Sequence, residues 1–446
     1  MSDLDSRALD LLALDGRLRQ LARRWRNFRR RLRDAEASDE EPFADSGELA
    51  RRSLFLALGE LERAGDPIAG RFRRWVYRLG EQRIDQGVLV MLERAMRVDK
   101  IAIDEPQRGL FTRRELLRRA LREPERRAAW LSAAIDKAAP VSDVYTELWQ
   151  RRQEVARGMG LEAPDDVELP CADLDLVAAR WLAESAEAFG ELRVCGAAAV
   201  IGSALGSEGG DAWPTRIDAR SMSELWSETR LLEGLDLDPG RWPEALGTAS
   251  WLRAQARLGA AFVDAAAPAH QPFCIAHDPY GLRRRTLGAL FALVALSAPF
   301  LQRRLGLGRD RARAQARVVS RVLLLESRAA ALRVQLRKPA LAGKSSNFAA
   351  FEEHTLQSLG EPLPARAAGT LFRLHVDDGQ RFAGLLLAAE LADTLTRAHD
   401  DDWFRNPRAA EELRAEADRP PEVNVEVAAV ERGGALLANK IRESLA

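Results

Sequence analysis

Apolar residues recur along this chain at intervals of three and four, and almost nowhere at intervals of two. That spacing marks helices with one buried face, because 3.6 residues complete a turn, whereas a half-buried strand alternates strictly. Leu11, Leu14, Leu18, Leu21, Trp25, Phe28 and Leu32 make an unbroken heptad seam, which predicts a helix within residues 1–35. The acidic stretch 35–46 breaks it. Ser46 or Asp45 then caps a helix to about Arg63, stopped by Gly65-Asp66-Pro67, and a longer helix runs from about Ala69 to Val98. Thr112 and Glu115 are spaced as a capping box, and Glu123-Pro124 restarts the chain as another helix through Ile135. Further helices are predicted near 141–158, 172–189, 221–234, 243–264, 283–305, 310–337, 346–358, 378–399, 407–416 and 426–443, with Asp310 as an N-cap and Pro339 as a stop. Strand is expected only near 191–219 or 271–276. The predicted fold class is all-α: an Arg-rich helix at 1–35 and one large helical body at 46–446. That body divides into an N-terminal part, 46–168, and a C-terminal part, 169–446, with two lobes around a central cleft as the arrangement to look for.

The most apolar stretch, Leu287 to Leu301, lies between Arg283-Arg284-Arg285 and Arg303-Arg304. It is shorter than the roughly 20 apolar residues of a spanning helix, and it contains Gly288, Ser297 and Pro299, so a buried core helix is expected and no membrane span. The 446 residues carry 67 Lys and Arg against 67 Asp and Glu. With no net field to attract a polyanion, nucleic acid is not an expected partner. Only five of the basic residues are Lys, and the Arg are spread over the whole chain, a coding bias rather than a patch. Cys171, Cys195 and Cys274 are far apart and form no Cys-x-x-Cys pair, which excludes a disulfide framework and a thiolate zinc site. The acidic start lacks the basic-then-apolar pattern of a secretory signal, so a cytoplasmic protein is expected.

Several motifs weaken on inspection. Nine arginines between Arg17 and Arg33 surround the first seam and suit phosphates or acidic lipid, but the seam itself favours packing against the body or a second copy. Ala342-Gly343-Lys344-Ser345 imitates the end of a phosphate-binding loop, yet Lys338 stands where the first glycine is required. The Gly- and Ala-rich run from Cys195 to Gly206 lacks the dinucleotide spacing. None of His270, His277, His354, His375 and His399 is four residues from another, so no pair shares a helix face as zinc ligands. Local groups such as Glu352-Glu353-His354, His375 with Asp377-Asp378, and His399-Asp400-Asp401-Asp402 read as solvated clusters.

Three segments carry a resemblance. Pro124-Glu125-Arg126-Arg127-Ala128-Ala129-Trp130 leads to Glu147-Leu148-Trp149-Gln150-Arg151-Arg152-Gln153-Glu154-Val155-Ala156-Arg157-Gly158-Met159-Gly160; Thr286-Leu287-Gly288 follows, and then Trp403-Phe404-Arg405-Asn406-Pro407 through Gly433. In order, these resemble segments of the oligoendopeptidase F and thimet oligopeptidase class of zinc peptidases and their angiotensin-converting-enzyme-like relatives, over roughly residues 50–440. The resemblance implies a helical body around a zinc site built on His-Glu-x-x-His, with a further Glu as third ligand. Placed after Gly288, that motif falls on Ala289-Leu290-Phe291-Ala292-Leu293, so Ala289, Leu290 and Leu293 are degenerate zinc-motif positions. Between Asp278 and Leu325 there is neither His nor Glu. Glu326 is left as a relic of the third ligand, needing Arg321, Arg328 or an arginine from another helix beside it. The family's C-terminal oxyanion-binding tyrosines are also missing, since Tyr280 is the last tyrosine.

The resulting expectation is a catalytically inactive relative with no metal and no cofactor, acting through a peptide or protein partner or in an assembly, a second copy included. Candidate cleft residues are His277, Tyr280, Glu326, His354 and His375. Two rivals stay open: an enzyme with new chemistry in the old cleft, which also draws on Cys274, and an adaptor that binds an anionic partner through the N-terminal helix.

Overall fold

The computed structural model describes residues 10–34, 41–104, 107–192, 209–268, 270–341, 347–368, 373–420, 422 and 424–446. Nearly all of the ordered structure is helical, as the periodicity predicts. The N-terminal part holds α1 (Leu11–Asp34), α2 (Arg52–Arg63), α3 (Pro67–Arg97), α4 (Arg113–Arg122), α5 (Arg127–Asp136), α6 (Ala139–Met159) and α7 (Asp165–Glu168). Next come α8 (Leu174–Glu184), α9 (Ala186–Glu191), α10 (Ala219–Glu224), α11 (Thr248–Ala266), α12 (Phe273–Ala276), α13 (Leu282–Leu293) and α14 (Ala298–Leu305). The chain closes with α15 (Arg309–Leu341), α16 (Asn347–Leu359), α17 (Asp378–His399), α18 (Pro407–Asp418) and α19 (Val427–Leu445).

Local chemistry sets these boundaries. Asp66 caps α3 by accepting from Ile68 N at 2.8 Å, and Pro67 opens the helix where no backbone donor is needed. Thr112 and Glu115 form the expected capping box at α4. Gly160 ends α6 at φ 87°, a conformation a side chain resists.

Four expectations need correction. The strands are β1 (Lys100–Ile103) and β2 (Gly109–Thr112), an antiparallel hairpin pairing Ile101 with Phe111, not the two expected stretches. Residues 273–276 are the helix α12, and of 191–219 the stretch 193–208 lies outside the described residues, while the described remainder holds a helix end and a 3-10 turn but no strand. The helix expected over 283–305 is broken: Ser297 caps α14 by accepting from Phe300 N, Pro299 sits in its first turn, and the two segments meet at 84°. The helix expected at 221–234 is only α10 followed by a 3-10 turn, because Arg230 is left-handed at φ 55°. Pro339 does not stop α15. It lies inside the last turn, where only one backbone hydrogen bond is lost.

Two apolar cores result. One collects α1 to α6, the second half of α15 and residues 351–376; the other collects α8, α10, α11, α13, α14, the first half of α15 and α17 to α19. Helix α15 joins them, contributing Val319, Val322 and Leu323 to the second core and Leu325, Leu332 and Leu336 to the first. The seam of α1 is part of the first core: Leu14, Leu18, Leu21, Trp25 and Phe28 are buried. Asp15 fastens it further, its carboxylate accepting from Phe273 N at 2.9 Å and Cys274 N at 2.8 Å at the start of α12. Among the described residues no single helix is long and apolar enough to cross a membrane; α13 and α14 meet that composition only as a bent pair, and their apolar residues face the second core.

Candidate functional site

The helix on which the resemblance places zinc ligands is α13. Leu290 and Phe291 are fully buried, Leu293 is nearly so, and Ala289 packs against the same core. Phe291 stacks on Trp226 with ring centroids 4.1 Å apart and packs beside Phe262. Backbones close over the helix on two sides. A Cβ on Gly288 would stand 2.7 Å from Ala256 O of α11, and one on Gly384 of α17 would stand 2.8 Å from Arg285 Cβ. Such approaches leave no room between these helices for a metal and its water.

The five candidate cleft residues do not converge. His277 packs at a tilt against Phe273, and its carbonyl accepts from Trp75 Nε1 at 3.0 Å; burial lowers its imidazole pKa. His354 is held within α16, Nδ1 lying 2.7 Å from Ala350 O. His375 sits beside Asp377, Arg373 and Arg381, and burial together with those arginines keeps it neutral far below the ordinary range. Glu326 finds its arginine on another helix: Arg253 of α11 donates through Nη2 at 2.7 Å, and the pair is partly exposed. Arg328, the other proposed partner, instead donates to Leu182 O and Ser358 O at 2.7 Å each, at the C-terminal ends of α8 and α16, where helix dipoles supply the negative charge. Burial lowers its pKa to about 10.

Tyr280 reaches with its side chain a site with unusual electrostatics, which His375 touches only through its carbonyl, accepting from Arg337 at 3.3 Å, and the sequence reading missed the residues that make it. Helix α3 turns Arg74, Arg78, Glu81 and Asp85 inward at successive turns; Glu81 and Asp85 are buried, and the two arginines are nearly so. Arg152 of α6 donates to Asp85 Oδ2 through Nη2 at 2.9 Å and Nε at 3.1 Å. Arg337 of α15 binds Asp165 at 2.6 Å and pairs with Glu168, both on α7. Glu81 Oε2 accepts from Arg78 at 3.2 Å and from the Tyr280 hydroxyl at 3.3 Å.

Charge counting explains the protonation. Arg78 pairs with Glu81, Arg152 with Asp85, and Arg337 with both Asp165 and Glu168, so four carboxyls share three guanidiniums, while Arg74 lies by Asp278. Burial, the Glu168 charge and a hydrogen bond to Glu168 push the Glu81 carboxyl well above its usual range. Burial opposes ionisation of Glu168 as well, but Arg337, the Glu81 hydrogen bond and Arg152 hold it below the usual range. Glu81 Oε1, Glu168 Oε1 and Asp85 Oδ1 are left without other partners, and a proton shared between the two glutamates satisfies the first two. Burial and neighbouring charges thus push the two carboxyls in opposite directions, Glu81 up and Glu168 down. The arginines orient the pair and Tyr280 donates to Glu81.

A polar recess does exist beside the apolar run, at the bend between α13 and α14. It has a volume of about 190 Å³ and is lined by Leu293, Ser297, Thr396, Asp401 and Lys440 among others. A more open neighbour of about 370 Å³ adds Arg303, Asp400 and Asp402. None of the five candidate residues lines either. His399, next to Asp400, is engaged by Glu412 at 2.9 Å. Among the described residues no group of three or more His, Cys, Asp and Glu is placed to hold a metal ion. Ala342-Gly343-Lys344-Ser345 and the run from Cys195 to Gly206 lie outside the described residues; Cys171 and Cys274 are buried thiols. Compared with family models and with curated proteins, the chain matches none.

Proposed function

We propose that this chain works without zinc-peptidase chemistry, as a peptide- or protein-binding component of an assembly on a peptidase-like helical body. The observation that carries the reading is the sealing of α13 by backbone contact at Gly288 and Gly384, with Leu290 and Leu293 facing core at the positions where the resembled family carries its ligands. The dispersal of His277, Glu326, His354 and His375 removes the motive for new chemistry in an old cleft. Surface exposure supplies the binding side of the argument. On α3 and at its C-cap, Ile84, Met91 and Val98 recur at heptad spacing and are 41%, 50% and 52% exposed, and Leu110 of the neighbouring hairpin is 65% exposed. Large apolar side chains kept in water along one helix face are a common mark of a protein contact.

The test is metal analysis of the purified chain together with cleavage assays on a mixed peptide library. The reading expects no stoichiometric zinc and no chelator-sensitive cleavage. Stoichiometric zinc with cleavage that a chelator abolishes would overturn it.

A further inference from the structure

Beyond the sealed part of α13 the chain bends sharply. Ser297 caps α14, which sets off at 84°, and the bend leaves a recess of about 190 Å³. A volume of that size holds a small molecule rather than one ordered water. Helix α17 ends at the same place. Thr396 of its last turn lines the recess, and Asp400 then takes φ 65°, turning the chain so that Asp401 lines it as well. Lys440 of α19 completes the polar lining.

These polar groups are uncommitted within the fold. Among the described residues the side chains of Thr396, Asp401 and Lys440 have no hydrogen-bond or ion-pair partner. Asp402 takes up the nearby cations, accepting from Arg405 at 3.3 Å and lying 3.9 Å from Arg303. The open recess of about 370 Å³ shares Pro299, Thr396 and Asp401 with the first, and it adds Asp400 as a second carboxylate without a cation among the described residues. Two helix ends reinforce the opposed charges. Thr396 belongs to the C-terminal, negative end of α17, whereas Ser297 and Pro299 belong to the N-terminal, positive end of α14. The remaining wall is apolar: Leu293, Val294 and Trp403 are each 4% exposed.

A negative pole, a positive pole and an apolar wall in one recess call for a ligand that complements all three. A lone anion would meet Asp401, and a lone cation would meet Lys440. We propose that the recess binds a free α-amino acid with an apolar side chain. Its ammonium lies at Asp401 and the end of α17, its carboxylate at Lys440 and the start of α14, and its side chain against Leu293, Val294 and Trp403. A residue inside a peptide has lost both charges to amide bonds and does not substitute. The site belongs to the second core, whereas the exposed stripe is on α3 of the first, so it does not rest on the peptide- or protein-binding reading.

The probes are leucine, N-acetyl-leucine, leucinamide and glycine, titrated calorimetrically into the full chain at constant ionic strength. Leucine carries both charges and each derivative has lost one, while glycine lacks the apolar side chain. Leucine is expected to bind at one site. Each derivative should bind about tenfold or more weakly, since a charge-assisted hydrogen bond is worth roughly that factor, and glycine should also bind more weakly than leucine. Two variants assign the poles. Asp401→Asn should weaken leucine about tenfold and close the gap between leucine and N-acetyl-leucine; Lys440→Gln should do the same for leucine and leucinamide. Both variants should melt as the parent does, because neither side chain has a partner among the described residues. If either fails to fold, the four probes on the parent decide. No binding of leucine, equal binding of leucine and any of the other three probes, or a leucine affinity unchanged in either variant would overturn the proposal.

Discussion

The two cores solve burial in opposite ways. Around α13, helices meet through glycine and close-packed aromatics, with Gly288 against Ala256 and Phe291 against Trp226. Around α3, the interior contains a nearly balanced set of ions, from Asp85 and Arg152 to Glu168 and Arg337, with one carboxyl, Glu81, pushed well above its usual range by burial and the Glu168 charge. The dry core tolerates changes that keep volume and shape. The ionic core tolerates changes that keep charge balance, because an isolated buried charge costs far more than a lost contact. The apolar helix α13 thus belongs to the plainest part of the molecule, and the demanding electrostatics lie elsewhere.

Unbalancing the ionic core is the strongest way to break this contrast. Arg337→Met leaves Glu168 and Asp165 without their shared cation and is expected to cost about 3–5 kcal/mol in denaturant unfolding; a loss under about 1 kcal/mol would mean that the network is hydrated and loose. Next comes the dry core, where Gly288→Val forces side-chain carbon against the Ala256 carbonyl. An increase of about 1–3 kcal/mol in the cost of folding is expected from that overpacking, and an unchanged midpoint would show a gap between α11 and α13.

Glu81→Gln gives a smaller effect that sharpens the assignment of the proton. The folded-state pKa of Glu81 is raised, so its contribution is fully present below the ordinary glutamate value and is lost as pH rises through the folded value. An amide imitates the protonated acid. The parent should therefore lose stability relative to Glu81→Gln as pH rises above about 4.5, whereas a Gln variant that grows less stable than the parent toward neutral pH would show that Glu81 is ionised. Taking the difference between the two proteins cancels His375, whose lowered pKa adds an opposite loss as pH falls below the ordinary histidine value. Smallest of all, Met91→Gln on the exposed stripe of α3 should change stability by less than about 0.5 kcal/mol. A larger loss would mean that the stripe is covered within the folded chain.

Much of the fold is legible in the periodicity. The seam of α1, the capping box at Thr112 and the stop at Gly65-Asp66-Pro67 are local, and local chemistry decides them. The β-hairpin escaped because each strand has only four residues, too few to establish alternation. The break at Ser297 was signalled by Pro299 but outweighed by the apolar run around it. Helix α3 misleads in a more instructive way. Its charges at Arg74, Arg78, Glu81 and Asp85 have the spacing of a solvated face and are mostly buried, while Ile84, Met91 and Val98 have the spacing of a core seam and are exposed. Periodicity finds the faces of a helix; which face turns inward depends on partners such as Arg152, Glu168 and Arg337, which lie far away in sequence. Of the five candidate residues only Tyr280 reaches the ionic site with its side chain, His375 touching it through its carbonyl, and no spacing in the chain announces Glu81 or Glu168 beside it.

Solvent access to α13 tests the central claim most directly. Leu290→Cys and Phe291→Cys, whose parent side chains are fully buried, each made in a Cys195→Ser background so that the remaining native thiols are the buried Cys171 and Cys274, would be treated with a thiol reagent in native buffer. Sealed core predicts that both introduced thiols stay unreactive until the protein unfolds. Rapid reaction of either in the folded protein would place an open cleft along α13 and contradict the account.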